Sequence, residues 1–142
     1  MKRVYVASPF KGTTTVEETR QNIVYARLCM LDSLERGEAP YLSHLLYTQV
    51  WSEDPEFRER GLLAGDLFRE VCEIVAIYQD LGITPGMRRA IEAAGGRALM
   101  RSVHWRDAKS SVPLDTPSEW RARLAVLSLD DFPALRLSLI HI

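Results

Sequence analysis

Residues 74–87 read IVAIYQDLGITPGM, and this stretch decides the fold. Its first five residues form the longest continuous apolar strand pattern in the chain, which is typical of a central parallel strand covered by helices on both faces. The chain then turns through Gly82 and reaches Thr84 and Pro85, a capping residue followed by proline at the first helical position. We therefore predict a strand, a turn and a helix here, with Gly95 ending the helix.

The same alternation of strand and helix extends to both sides of this unit. Strand patterns cover residues 3–7, 39–44 and 97–103, and helical patterns cover about 16–36, 55–72 and 117–127. Strands that alternate with helices imply a parallel sheet with right-handed crossovers. We predict an α/β fold, a Rossmann-like or flavodoxin-like three-layer sandwich with a four- to five-stranded parallel sheet in the order 2-1-3-4. The 55–72 helix is expected to bury a face that includes Phe57, Ala64, Leu67 and Val71.

Length and composition favour one domain. The 142 residues are 46% hydrophobic and 26% charged, which is enough to bury a core. We assign residues 1–128 to the domain and residues 129–142 to a tail, which is either an edge strand or a cloning remnant. The 18 Lys and Arg residues nearly balance 19 Asp and Glu residues, so the broad basic field of a nucleic-acid binder is absent. The expected ligand is a small molecule and no nucleic-acid polymer.

Cysteine usage and the N-terminal pattern indicate the compartment. Cys29 and Cys72 lie in predicted helices without the spacing of a zinc site or a disulfide framework, so we expect reduced core thiols and no metal. The chain starts directly with a strand pattern, and no apolar run approaches the length of a membrane span. We expect a cytoplasmic protein with no membrane partner.

In open parallel sheets a ligand lies beyond the carboxyl ends of the strands, where the winding direction reverses. With the order 2-1-3-4, that point falls between the first and third strands. The polar and turn residues expected there are Ser8, Pro9, Phe10, Asp80, Gly82, Thr84, Gly86 and Met87. The helix N-terminus at Thr84 suits an anion, although an ordinary strand-to-helix turn with a threonine cap has the same pattern.

Three further residues are candidates for ligand binding. His44 follows the second strand pattern and is predicted in a loop, where it either points into a pocket or is a packed histidine bonded to backbone. Asn22 and Tyr25 are three residues apart on the first helix and share a face near the end of the first strand. They either contact a base or ribose, or they cap and pack.

Five segments taken together resemble the nucleoside 2-deoxyribosyltransferase-like superfamily. They are 3–10 (RVYVASPF), 22–26 (NIVYA), 37–44 (GEAPYLSH), 80–87 (DLGITPGM) and 90–94 (AIEAA). More narrowly, they are similar to a small branch of it found in phages and bacterial genomes. The resemblance covers residues 3–101 and implies a Rossmann-like domain, a homodimer or higher homo-oligomer. Its implied activity is cleavage or transfer at the N-glycosidic bond of a nucleoside or nucleoside monophosphate, without metal or cofactor.

The resemblance also implies a catalytic glutamate four residues after Gly86, which attacks the anomeric carbon and forms a glycosyl-enzyme ester. That position is Ala90 in this chain, and a methyl group cannot do this chemistry. Glu92 is the nearest carboxylate, but two residues along a helix rotate the side chain by about 200°. Asp80 matches the acidic position ahead of the turn, and it is the candidate general base that activates water.

Two hypotheses follow from these residues. In the first, the protein is an N-glycosidase or glycosyltransferase in which Asp80 is the catalytic carboxylate and Ser8, His44 and Thr84 orient sugar or phosphate. In the second, Ala90 marks a catalytically inactive protein that sequesters or senses a nucleotide. A scaffold that merely inherited the fold is the third alternative.

Overall fold

The computed structural model of the protein describes residues 1–10, 15–50, 54–103 and 115–131. Within these ranges the strands are β1 (Arg3–Ala7), β2 (Ala39–Tyr41), β3 (Ile74–Tyr78) and β4 (Ala98–Arg101). The helices are α1 (Val16–Glu35), α2 (Ser43–Leu46), α3 (Pro55–Val71), α4 (Pro85–Ala94) and α5 (Pro117–Ala125). Short 3-10 turns cover Tyr47–Gln49, Gly95–Arg97 and Leu129–Asp131.

The strands form one parallel sheet in the order β2-β1-β3-β4. This confirms the predicted strand order and the three-layer α/β class. At the carboxyl end of the central pair, Ala7 of β1 lies opposite Ile77 of β3. The loops that follow β1 and β3 therefore leave the sheet side by side, as the ligand-site argument requires.

Helices cover both faces of the sheet. On one face, Tyr25 of α1 and Trp120 of α5 meet edge to face, with ring centroids 5.6 Å apart, over Val4 and Val6 of β1. On the other face, α4 packs its buried side chains against β3; the cluster comprises Ala7, Val75, Ile77, Met87, Ala90 and Ala94. The sheet is thus the middle layer between two apolar clusters.

Side-chain caps begin the four long helices, α1, α3, α4 and α5, and the cap of α4 is the predicted Thr84. Thr15, Asp54, Thr84 and Thr116 each accept a hydrogen bond through the side chain from a backbone N–H of the first turn. Proline follows the cap by one residue in α3, α4 and α5. The first residue of such a helix can be predicted from the sequence, because a capping side chain bonds to its own first turn and needs no tertiary contact.

The second strand is shorter than predicted. β2 ends at Tyr41, and residues 43–46 form the single turn of α2, so His44 lies on a short helix and not in a loop. A helix of one turn is too short to show a 3.6-residue period in the sequence. β4 is also shorter than the predicted 97–103, since Arg97 belongs to the 3-10 turn that closes α4. Cys72 caps α3 and Cys29 lies within α1; both are buried and free.

The predicted buried face of α3 is wrong. Phe57, Leu67 and Val71 are 51%, 66% and 54% exposed, and the buried residue of this helix is Gly65. A Cβ at Gly65 would lie 3.0 Å from Cβ of Ser43, so α3 approaches α2 through bare backbone. Periodicity identified the apolar stripe correctly but could not tell which side of the helix faces the sheet.

The start of the predicted tail lies within the described residues. Residues 129–131 form a 3-10 turn, while the predicted edge strand around Leu135, Leu137 and Leu139 lies outside the described residues. The boundary between domain and tail stays a prediction. In the described ranges, every helix is too short or too polar to span a bilayer.

Candidate functional site

A serine and a histidine are hydrogen-bonded at the carboxyl end of β1. Oγ of Ser8 lies 2.7 Å from Nε2 of His44, and the ring of Phe10 meets the imidazole edge-on with centroids 6.2 Å apart. Burial lowers the pKa of His44 to about 4. At neutral pH the imidazole is therefore uncharged, so the Ser8–His44 pair offers one hydroxyl and one neutral ring to a ligand.

The position of His44 is set by how α2 is anchored to the sheet. Ser43 hydrogen-bonds through Oγ to the hydroxyl of Tyr5 at 2.9 Å, and Tyr5 lies on β1. At the other end of the turn, the Thr48 hydroxyl donates to the backbone carbonyl of His44 at 2.7 Å. With both ends of the turn tied, the imidazole is held against Ser8.

Asn22 connects α1 to the loop after β1. Its Nδ2 donates to the backbone carbonyl of Phe10 at 2.6 Å, and only 3% of the residue is exposed. Its other polar atom, Oδ1, is buried and has no hydrogen-bond partner among the described residues. A buried acceptor without a donor is uncommon and costs roughly 1–3 kcal/mol. Asn22 therefore holds the loop through Nδ2, while Oδ1 is an unused acceptor.

Asp80 is held by two separate parts of the chain. Its Oδ2 accepts from the Tyr25 hydroxyl at 2.7 Å and from the Val103 backbone N–H at 2.9 Å. The Asp80 N–H in turn donates to the Tyr25 hydroxyl at 3.1 Å. Burial, followed by the nearby Cys29 and Asp80, raises the pKa of Tyr25, so this phenol stays protonated and donates to the carboxylate.

The turn after β3 presents the second oxygen of Asp80. The Gly82 N–H donates to the Gln79 carbonyl at 2.9 Å. Gly82 has a φ of 93°, a backbone conformation that residues with a side chain rarely adopt. Asp80 is half-buried, and its Oδ1 receives no hydrogen bond from any described residue. One carboxylate oxygen is thus fixed, while the other is left for a water or a ligand.

The start of α4 separates residues that face the core from residues that face solvent. The Thr84 hydroxyl accepts from the Met87 N–H at 3.2 Å, so it acts as a cap, and Gly86 is exposed beside it. Met87 and Ala90 are only 2% and 5% exposed and pack in the apolar cluster of β3. Glu92 is exposed on α4. A carboxylate at position 90 would enter this apolar cluster.

The predicted site residues therefore fall into three groups. Ser8, Phe10, Asn22 and His44 form one cluster after β1, with buried Pro9 among them. Tyr25 and Asp80 form a second cluster after β3, and Asn22 and Tyr25 are one turn apart on α1. The residues at the start of α4 form the third group, in which Met87 is a core residue. The partner that sequence reasoning missed is Val103, because its donor is a backbone N–H, which every residue but proline carries.

A separate cleft of about 400 Å³ lies along α1. Its lining comprises Ile23, Arg27, Met30, Leu45, Thr48 and Gln49. None of the residues predicted from the sequence lines it, although Leu45 follows His44 directly. Its volume lies within the range of small-molecule pockets.

Comparison with known proteins adds one finding. Residues 2–102 match the family model described as a domain of unknown function, DUF7768, and this range contains Ser8, His44 and Asp80. No curated protein and no solved structure matches the chain. Since the model covers more than half of the sequence, the chain belongs to the DUF7768 family.

Proposed function

We propose that this protein binds a nucleoside or nucleotide beyond the carboxyl ends of β1 and β3 and cleaves or transfers at its N-glycosidic bond. The observation that carries the proposal is the convergence of polar groups at two neighbouring strand ends. Ser8 follows β1 and is hydrogen-bonded to His44 of α2. Asp80 follows β3, whose last residues pair with those of β1. The resemblance of the same segments to the nucleoside 2-deoxyribosyltransferase-like superfamily supports the choice of ligand.

The first cluster suits the sugar. A serine hydroxyl and a neutral imidazole exchange hydrogen bonds with ribose hydroxyls without placing a net charge in the site. The unpartnered Oδ1 of Asn22 adds an acceptor for a hydroxyl or an amino group. These three groups recognise an uncharged polar ligand surface better than a bare phosphate, which prefers cationic donors.

The chemical step is assigned to Asp80. Its Oδ1 takes a proton from a water molecule, the water oxygen forms a bond to the anomeric carbon, and the C–N bond to the base breaks. The leaving base carries away the bonding electron pair and is protonated by solvent. In a transfer reaction, a second base replaces water. The Tyr25 hydroxyl and the Val103 N–H are positioning groups, because they hold Oδ2 and thereby orient Oδ1.

A specific observation favours a second candidate, a nucleotide-binding protein without turnover. Ala90 occupies the position of the expected nucleophile and is buried against β3, so neither the residue nor its surroundings suit a carboxylate. Such a protein would sequester or sense its ligand. It would use the same Ser8–His44 cluster and need Asp80 only as a structural acceptor.

Measuring the release of free base distinguishes the enzyme from the binding protein. The protein is incubated with a panel of nucleosides, nucleoside monophosphates and nicotinamide dinucleotides, and free base is measured by chromatography while binding is measured by calorimetry. We expect base release that is lost in Asp80→Asn and retained in Glu92→Gln, the matched change of an exposed carboxylate. Binding without base release establishes the second candidate, and absence of both refutes the proposed ligand class.

A further inference from the structure

Helix α3 carries an apolar surface that no described part of the chain covers. Six large apolar residues of this helix are exposed, of which Leu62 (46%) is rotated about 100° from Leu63 and lies apart from the rest. The other five are Phe57 (51%), Leu63 (58%), Leu67 (66%), Phe68 (49%) and Val71 (54%). We call them the α3 stripe. Scattered apolar residues on a surface are ordinary, but Leu63, Leu67, Phe68 and Val71 follow one another at spacings that make them neighbours on one side of the 17-residue helix, with Phe57 towards its start.

Two leucines of the stripe and two charged residues beyond them have the spacing of a helix–helix seam. Leu63 and Leu67 are four residues apart, and Arg60 and Glu70 lie three residues before and after them. This 3-4-3 spacing places all four residues along one side of the helix, as in the seam of a coiled coil. Gly65 faces the opposite side, towards Ser43, so the seam points away from the sheet.

The charges at the two ends of the seam are complementary to each other. When two copies of α3 pair antiparallel about a two-fold axis between residues 63 and 67, each Leu63 faces Leu67 of the second copy. The same axis brings Arg60 opposite Glu70 of the second copy, twice. Neither side chain forms an ion pair with another described residue; Arg60 lies over the Phe57 ring, with its guanidinium carbon 5.8 Å from the centroid.

The flank of the seam is complementary as well. Phe57 lies near the start of α3 and Val71 at its end, so the antiparallel arrangement packs Phe57 against Val71 of the second copy. Phe68 continues the patch onto the sheet, where it stacks on Tyr41 with centroids 4.7 Å apart. The stripe offers on the order of 400 Å² of apolar surface per copy, about half of what each partner buries in a standard interface. The charged residues along α3 supply the polar rim.

We infer that α3 is the interface of a two-fold symmetric homodimer, in which Leu63 packs on Leu67 and Arg60 pairs with Glu70 across the axis. The inference is independent of the proposed function. It places the site residues Ser8 and Asp80 outside the interface, because they lie beyond the strand ends and not on α3.

Sedimentation velocity of the full chain over low to high micromolar concentrations tests the interface. We expect a dimer of twice 16.1 kDa. Leu67→Lys should weaken dimerisation at least 100-fold, because it buries a charge at the centre of the seam. Leu34→Lys is the matched control, since Leu34 is 54% exposed on α1, and it should leave the dimer unchanged. Circular dichroism checks that both variants are folded.

Charge reversal tests the antiparallel register. Arg60→Glu and Glu70→Arg should each weaken the dimer about tenfold, because each places like charges opposite one another twice. The double variant R60E/E70R should restore the wild-type dissociation constant. A wild-type chain that is monomeric at high micromolar concentration overturns the inference. The stripe would then be covered by another segment of the chain or by another protein. A dimer that Leu67→Lys leaves intact overturns it too, and failure of the double variant to recover overturns the register.

Discussion

Arg101 at the end of β4 and Glu38 just ahead of β2 form a two-pronged ion pair in which both N–O distances are 2.6 Å. β4 and β2 are the outermost strands of the described sheet, so this pair links its two edges. The side chains are only 7% and 12% exposed, and the Ser33 hydroxyl also donates to Glu38 at 2.8 Å. Arg101 lowers the pKa of Glu38, which keeps this carboxylate ionised.

Removing one partner of this ion pair should lower the free energy of unfolding far more than removing both. Glu38→Leu leaves the Arg101 guanidinium buried without its counter-charge, and we expect a loss of about 3 kcal/mol in the free energy of unfolding. The double variant E38L/R101M should recover most of that loss, since it removes both charges. Urea denaturation measures the cycle. Glu73→Leu is the control, because the Arg3–Glu73 pair is 63% and 43% exposed and should contribute less than about 0.5 kcal/mol. Equal losses in the single and double variants would refute the coupling.

The histidine of the candidate site should make stability depend on pH. Burial lowers the pKa of His44 to about 4 in the folded protein from the 6.5 of an ordinary histidine, so between these two pH values the unfolded chain binds more protons. The free energy of unfolding should therefore fall as pH is lowered from about 6.5 to about 4, by at most roughly 3 kcal/mol. His44→Gln should lack this component. Urea titrations at a series of pH values compare the two proteins, and parallel curves would contradict the assignment.

The approach of α3 to α2 should make Gly65 intolerant of a methyl group. Alanine normally stabilises a helix by about 1 kcal/mol over glycine. Here the new Cβ would lie 3.0 Å from Ser43, which the Tyr5 hydroxyl holds in place. We expect Gly65→Ala to destabilise the protein by about 1 kcal/mol through overpacking. In a Ser43→Gly background the same change should become stabilising. Thermal unfolding of the four proteins checks this, and a stabilising Gly65→Ala in the wild-type background would show that α2 yields.

The phenol that holds Asp80 should matter for stability. Tyr25→Phe keeps the aromatic contact with Trp120 but removes the donor to Oδ2 and the acceptor for the Asp80 N–H. We expect a loss of about 2 kcal/mol, since buried partners are left unpaired. Tyr47→Phe is the comparison, because it removes one bond to the half-buried Tyr41 and should cost less than about 1 kcal/mol. A Tyr25→Phe variant as stable as Tyr47→Phe would argue against a tight Asp80 clamp.

The strands could be predicted because their signals are local, and their order is the usual one for strands that alternate with helices. The apolar run at residues 74–78 indicates a central strand, and the capping residue Thr84 indicates where α4 begins. The depth of α3 could not be predicted in the same way. Its stripe has the period of a buried face, but burial depends on what lies opposite, and Gly65 gave no sign that it was the contact.

The residues of the candidate site were chosen from the sequence, but the hydrogen bonds between them could not be predicted. Ser8, His44 and Asp80 were identified from their places after strands, yet the Ser8–His44 bond depends on the single turn of α2, which has no readable period. The position of Tyr25 suggested contact with a base or ribose or simple packing, and it is buried and bonded to Asp80. Hydrogen bonds between residues 55 apart in sequence have no local signature.

The clamp on Asp80 also bears on how this position tolerates substitution. One carboxylate oxygen joins the first helix, the end of β3 and the chain that leaves β4. A saturation library scored by growth would therefore find position 80 restrictive even in a protein whose role needs no catalysis there. Dividing each variant's activity by its folded abundance separates a catalytic requirement from the structural one. Aspartate and asparagine should differ in this ratio and not in folded abundance.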